Sequence, residues 1–382
     1  MDVKQIYDIV NVAAQMTLGQ TALVAVDTSS FVSLGEQLDE SKMTDMFNRT
    51  LTDVIGRTVI SQRALEDGDA DGMVRDGFEY GAILRKLYVD VPEATENPAY
   101  QIGDDDFEAK YAPIYKPTIK QYLFSKTGTF EMGVSIPDDL WDSAFHSESE
   151  MAVLISAIHL ALQNRFAIAM RNLKRLCRAT FIANILNSGG FRAVNLLAEY
   201  NASTGSSLTV DSALGDENFL RWSSMTITQY SKRMTDESIL FNAAGNLRHT
   251  PRDLQVLTLL ENYATAVQYN MLSNVFHNEL VSLPRYNEVN FWQGTGTAYS
   301  FKDASTVSIK VTTDSGSADI TFPYVLGVLY DIEAMGVTID KLRDKVQYYP
   351  HEEFTNYWKK ATRGYFNDFS ENGVVFYMAN AS

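Results

Sequence analysis

One stretch limits the possible folds more than any other. From Met151 to Asn187 the chain has neither Pro nor Gly, so no ring clash and no backbone looseness interrupts a helix there. Ser147 and Glu150 precede it in the S-x-x-E pattern of a capping box, which satisfies free N–H groups of a helix's first turn. Apolar residues then recur along one stripe: Met151, Leu154, Ile155, Ile158, Leu162, Phe166, Met170, Leu173, Cys177 and Phe181. That spacing predicts a helix, and Gly189-Gly190 stops it. Unbroken, it runs for about 40 residues and about 60 Å at 1.5 Å per residue. The mean helix has about 11–12 residues. A break near Ala179 or Asn184 is the alternative.

The segments before it differ in character. Residues 1–65 alternate short helical patterns with polar joints, and Met43, Met46, Phe47, Leu51 and Val54 predict a helix over Ser41 to Thr58. Residues 66–77 form a Gly/Asp-rich break. From Phe78 to about Ile136 the pattern is extended. Leu87-Tyr88-Val89 reads as a strand, and 113–136 as two β-rich runs with a turn around Lys126-Thr127-Gly128. Between them, residues 90–109 carry Asp90, Glu93, Glu96, Asp104, Asp105, Asp106 and Glu108 and no basic residue. The whole of 78–136 reads as a long two-stranded arm. Such a hairpin is marginal in water, so it needs a surface to lie on.

After the long helix the pattern is mixed. Glu217 to Arg233 and Pro251 to Phe276 read as helices, the second with Thr250 as cap and Pro251 in the first turn. Residues 306–322 read as a β-hairpin turning at Asp314-Ser315-Gly316, and Tyr324 to Tyr330 as an apolar strand followed by a turn over Asp331 to Met335. The tail from Lys345 to Met378 is aromatic and strand-like.

Of 382 residues 45% are hydrophobic and 21% charged, the balance of a folded globular protein. The net charge of −16 speaks against general nucleic-acid binding, which needs clustered Lys and Arg, and against an anionic membrane surface. It serves solubility, or a surface to which DNA does not stick. The single cysteine, Cys177, excludes an intrachain disulfide and a cysteine metal cluster; within an apolar helical pattern it reads as an inert buried thiol. No basic-then-apolar signal opens the chain, and no uncharged apolar run approaches the roughly 20 residues that span a bilayer. Together these give a soluble, intracellular product.

Catalytic patterns are missing. There is no Walker-type loop, G-x-G-x-x-G, G-x-S-x-G or H-E-x-x-H. His146, His159, His249, His277 and His351 are scattered, and His351-Glu352-Glu353 lacks a second His. Asp67-Gly68-Asp69-Ala70-Asp71-Gly72 matches the first half of a calcium loop, but its twelfth position is Phe78, with Glu79 one residue late; a solvated hinge is the reading taken. No catalytic residue, cofactor or metal site is assigned.

The order of elements resembles the Hong Kong 97-type major capsid protein of tailed bacteriophages, an α+β fold. Three stretches carry the resemblance: Pro113 to Ala161, with Pro137-Asp138-Asp139 between the strands and the capped helix; Gly327 to Ala334; and Phe354 to Tyr377, with Asn356-Tyr357-Trp358, Tyr365-Phe366 and Glu371-Asn372-Gly373-Val374-Val375-Phe376. The last looks like the C-terminal return of small short-tailed (podovirus, picovirus-like) phages. The resemblance implies an N-terminal arm over 1–77, an E-loop over 78–136, a P domain over 137–205 with the long helix as its spine, an A domain over 206–340, and a return to the P domain over 341–382. It covers most of the chain from about residue 78.

It also implies a virion shell protein, assembled in the host cytoplasm into pentamers and hexamers around double-stranded DNA. It implies no enzyme, and portal and separate scaffolding proteins as partners, since the chain starts at Met1 without a scaffold-like extension. No room follows Ser382 for an added immunoglobulin-like domain, and the Lys, Asn and Glu of the family's cross-link are not matched. An encapsulin-like nanocompartment and a metal-dependent hydrolase built on the acidic clusters are the competing readings.

One site expectation concerns contacts between copies. The long helix holds Arg165, Arg171, Lys174, Arg175 and Arg178 and no acidic residue from 151 to 187. Both charge runs read as solvated faces, whose exposed pairs contribute only about 0–1 kcal/mol each. The sharper expectation sets Asp104, Asp105, Asp106 and Glu108 of one subunit near those five bases of a neighbour, where charge fixes orientation more than affinity.

Overall fold

The computed structural model describes residues 3–19, 22–26, 28–40, 72–75, 84–90, 118–124, 127–137, 148–272, 286–293, 300–313 and 316–380. In chain order come α1 (Val3–Leu18), α2 (Thr28–Glu40), β1 (Val74–Arg75), β2 (Leu84–Val89), β3 (Ile119–Phe124), β4 (Thr127–Pro137) and α3 (Glu148–Ser188). Then follow β5 (Ala193–Asn195), α4 (Leu196–Thr204), α5 (Val210–Ala213), α6 (Glu217–Arg233), β6 (Gln255–Leu260), α7 (Glu261–Leu272), β7 (Tyr286–Val289) and α8 (Phe301–Ser305). The chain closes with β8 (Val307–Thr313), β9 (Gly316–Phe322), β10 (Val325–Asp331), β11 (Met335–Tyr349), β12 (Phe354–Asn367) and β13 (Gly373–Tyr377). The predicted helix over Ser41 to Thr58, the Asp67–Asp71 run, the cap at Ser147 and most of the acidic run lie outside the described residues.

The long helix is one unbroken element of 41 residues. Neither alternative break exists at Ala179 or Asn184. Its stop is local chemistry: Gly189 (φ 62) and Gly190 (φ 77) take left-handed backbone, which costs a Cβ-bearing residue, and the Gly189 N–H donates to the Ile185 carbonyl at 3.0 Å.

The chain divides into two compact units. The first comprises Met1–Glu79, Thr127–Arg175 and Val337–Tyr365. Its sheet runs β1-β11-β12-β4. Strand β12 alternates buried and half-buried residues over most of its length, the mark of a sheet with one covered face. On the open face Lys360 pairs with Glu131 at 2.7 Å. Phe130 packs on Phe166 of α3 at 6.0 Å between ring centroids, and the Arg363 guanidinium lies 4.7 Å from the Phe130 centroid. At the N-terminus Asn11 clamps Ala25 through both backbone groups, at 2.7 and 2.9 Å.

The second unit comprises Tyr80–Lys126, Leu176–Gly336 and Phe366–Ser382. Its sheet runs β5-β13-β10-β6-β7, and every residue of β10 is buried. A core of Phe219, Leu220, Ile227, Tyr230, Tyr263 and Val267 from α6 and α7 meets Leu257, Leu259, Leu329 and Phe376 from the sheet. Within it the Tyr263 hydroxyl bonds Ser223 at 2.8 Å, and burial pushes it up to about 12. Helix α3 contributes Phe181, stacked on Phe369 at 5.7 Å. A Cβ on Gly373 would lie 2.6 Å from the Phe181 ring, so a close approach reserves that position for Gly.

Two sequence expectations change here. The helix predicted over Pro251 to Phe276 is a strand and then a helix, β6 and α7. The run Val256-Leu257-Thr258-Leu259-Leu260 has no helical period, and pairing between β10 and β7 buries it. Thr250 does not cap a helix; its hydroxyl donates to Asp331 at 2.8 Å. The turn at Lys126-Thr127-Gly128 does not make a hairpin either. Strand β3 pairs with β2 and β4 with β12, because each finds its complementary face elsewhere. Glu217 to Arg233 and the 306–322 hairpin stand as expected, with Ile309 opposite Ile320.

Candidate functional site

The second unit holds a polar cluster where the β2–β3 ribbon meets the segment between β12 and β13. The ribbon is antiparallel from Leu84↔Phe124 to Val89↔Ile119, and the Asp90 N–H closes it on the Thr118 carbonyl at 3.0 Å. Strand alternation gives it two unlike faces. Arg85, Leu87, Val89, Ile119, Gln121 and Leu123 are exposed; Lys86, Tyr88, Lys120, Tyr122 and Phe124 are half-buried.

Lys86 is the centre of the inward face. Its ammonium donates to the Glu333 carbonyl at 2.8 Å and to Glu371 Oε1 at 3.2 Å, and pairs with Asp368 Oδ2 at 3.1 Å. Two of its N–H donors thus make hydrogen bonds, and the Asp368 contact adds a buried ion pair. The Glu333 carboxylate adds a longer contact at 3.6 Å. The stem runs beside Phe366, with Nζ 5.7 Å from its centroid, and Phe366 packs on Phe124 at 5.3 Å.

Arg248 takes the other oxygen of Glu371 and stacks over Tyr88 at 5.1 Å. The Tyr88 hydroxyl donates to the Leu247 carbonyl at 3.1 Å. Asn246 accepts from Lys120 at 2.8 Å and donates to the Tyr122 hydroxyl at 3.1 Å, while its own backbone is closed by Asn242 at 2.9 and 2.7 Å. Asn242 donates to Asn372 at 3.3 Å, Asn372 to Thr250 at 3.1 Å, and Thr250 to Asp331. From Lys120 through Asn246, Asn242, Asn372 and Thr250 to Asp331, at the end of β10, each link is a hydrogen bond.

Four carboxylates (Asp331, Glu333, Asp368, Glu371) share this cluster with Lys86, Arg248 and Lys120. Burial pushes the Glu371 carboxyl above its ordinary range; Lys86 and Arg248 draw it down, and Asp331 and Asp368 add to the rise. Asp368 is steadied by the Ser370 N–H and hydroxyl at 2.9 and 2.6 Å. The arrangement can hold and orient. No group of three or more His, Cys, Asp or Glu that could hold a metal occurs among the described residues.

The residues expected at a contact between copies fare differently. Asp104, Asp105, Asp106 and Glu108 lie outside the described residues. Arg165 and Arg171 on α3 are exposed, Arg175 is half-buried, and Lys174 and Arg178 are buried. The last four fall at i, i+3, i+4 and i+7, one helix face, and none of them is without a partner. Cys177 is buried, as its pattern predicts. Sequence reasoning missed Lys86, Arg248 and Asn246. A signal for the other half existed: Asp368, Ser370, Glu371 and Asn372 interrupt an aromatic, strand-forming run.

Comparison with known structures gives the fold. The capsid structure of Staphylococcus phage Andhra aligns with a TM-score of 0.56 at 8% identity, over 82% of this chain and 84% of that one. A chain in the structure of the head fiber and inner core protein gp22 of native bacteriophage P68 aligns at 0.54 and 9% identity, over 80% and 83%. These likenesses and the mixed architecture define the Hong Kong 97-type α+β fold. No curated protein matches the chain by sequence. The model of the Phi29-like phage major capsid protein family matches residues 10–377, and the chain belongs to that family. It is a structural protein of the phage head, placed in the virion's capsid shell. Of the competing readings, the phage shell stands.

Proposed function

We propose that this chain forms the icosahedral head of a tailed phage as pentamers and hexamers enclosing double-stranded DNA, without catalysis. The observation that carries this is the family match over nearly the full length, joined to the capsid fold. The net charge of −16 supports it physically, since a basic inner wall would bind phosphates and hinder packing and release of DNA. A separate scaffolding protein would guide curvature, and a portal protein would occupy one vertex. In domain terms, residues 1–77 serve as N-terminal arm, 78–136 as E-loop, 137–205 as P domain, 206–340 as A domain and 341–382 as the return. The acidic run of one subunit approaches the basic face of a neighbour's α3, where the exposed Arg165 and Arg171 are its accessible partners. Electron microscopy of the full-length protein co-expressed with the other head proteins tests this. Closed shells are expected; discrete monomers under every condition would overturn it. An assembled structure with no carboxylate of Asp104, Asp105, Asp106 or Glu108 near the five bases of a neighbour would remove the charge pairing alone.

A further inference from the structure

We infer that Lys86 is a positioning residue for assembly: by fixing how the β2–β3 ribbon sits on the second unit, it sets the curvature and so the diameter of the closed shell. This rests on the shell reading and names a residue through which geometry is controlled.

Three observations lead there. First, the ribbon is two strands of six residues each, too small to hold a position by its own pairing. Its outward face leaves large apolar side chains exposed in the subunit: Leu87 is 64% and Ile119 59% exposed. Its seat therefore depends on the inward face. Second, that inward face is held by polar directional contacts more than by apolar area. Lys86 meets three oxygens, Tyr88 lies under Arg248, and Lys120 and Tyr122 share Asn246. Directional bonds define an orientation, whereas apolar burial is non-directional and tolerates sliding. Third, Lys86 alone among these ribbon groups binds the buried carboxylates of the β12–β13 segment. Asp368 is 1% and Glu371 4% exposed. The same segment continues through Asn372 to Thr250 and Asp331. The seat of Lys86 is thus anchored to the end of β10, a strand buried along its whole length.

In a closed shell a small angular error at each subunit is repeated at every copy. Changing the ribbon's seat should alter particle diameter or prevent closure even when the subunit is folded. Position and stability are separable here. Glu371 carries a carboxyl raised by its burial, so replacing it by Gln removes a desolvated charge while loosening the grip on Lys86.

The experiment compares full-length Lys86→Met and Glu371→Gln with the wild-type protein, assembled with the same co-expressed head proteins. Three readouts are taken: circular dichroism and thermal unfolding of unassembled subunits, amide hydrogen exchange over Leu84–Val89 against Val325–Asp331, and particle diameters by electron microscopy. The expected result for Lys86→Met is a folded subunit, exchange at least tenfold faster in the ribbon with the β10 segment unchanged, and particles of altered diameter or open sheets. Wild-type diameters from folded Lys86→Met subunits would overturn the inference. Should Lys86→Met not fold, Glu371→Gln takes its place under the same two outcomes. If the wild-type protein itself forms no shells, it is the shell reading that fails.

Discussion

The two units of this chain hold charge in opposite ways. In the first unit, Lys360 and Glu131 meet across β12 and β4 on an open face, with side chains 39% and 45% exposed. In the second, Lys86 meets Glu371 and Asp368 with side chains 16%, 4% and 2% exposed. Water screens the first pair, so it contributes about 0–1 kcal/mol. The second pair is desolvated, and removing one partner leaves a buried charge at a cost of about 3–5 kcal/mol. The difference teaches where information about shape is stored. The open pair decorates a surface; the other fixes an orientation, because its two carboxylates are buried.

Breaking the most buried element should have the largest effect. Phe181→Ala should cost about 3–5 kcal/mol, measured by urea unfolding, because its ring fills the space above Gly373 and Tyr330. Phe166→Ala, half-buried on the same helix, should cost roughly half of that. Equal losses would show that the two halves of α3 are buried alike in solution.

Next in size is Lys86→Met, which should cost about 3 kcal/mol by leaving Asp368 and Glu371 short of a cation. A loss below about 1 kcal/mol would mean that the buried pair behaves like the open one.

A smaller effect follows from the pH dependence of Glu371. Its folded carboxyl sits above the ordinary value of 4.5. A raised carboxyl contributes stability that is fully present below the unfolded value and lost as pH rises through the folded one. Glu371→Gln lacks that loss. Its unfolding free energy relative to wild type should therefore climb between pH 4 and pH 7. A relative stability that falls over this range would show that Lys86 and Arg248 outweigh burial.

The smallest effect belongs to Lys360→Met, expected within about 1 kcal/mol of wild type in the same unfolding assay. A larger loss would erase the contrast between the two units.

Much of the scaffold was legible in the residues. The 41-residue helix announced itself through an unbroken apolar stripe, and the 306–322 hairpin through strict alternation, because both patterns are local. Strand β6 was not legible. The short run Val256 to Leu260 has no period that separates strand from helix; pairing with β10 and β7 decides it, and that pairing is non-local. The same reason hid the ribbon's true partner: β3 is adjacent to β4 in sequence but joins β2 in the sheet. The polar cluster was half visible. Glu371-Asn372-Gly373 stood out inside an aromatic run, yet Lys86, Arg248 and Asn246 come from distant segments whose local patterns read as ordinary surface. The basic stripe of α3 was visible as charge, but its burial was not. A composition count does not distinguish the exposed Arg171 from the buried Lys174 three residues on.

The central claim is that this chain is a shell subunit whose ribbon is fixed by a buried ionic contact. The most direct test is an electron cryomicroscopy map of particles assembled from the full-length protein. The account predicts closed icosahedral shells in which every subunit keeps the Lys86 ammonium among Glu333, Asp368 and Glu371. Closed shells in which Lys86 faces solvent, or a preparation that never leaves the monomeric state, would contradict it.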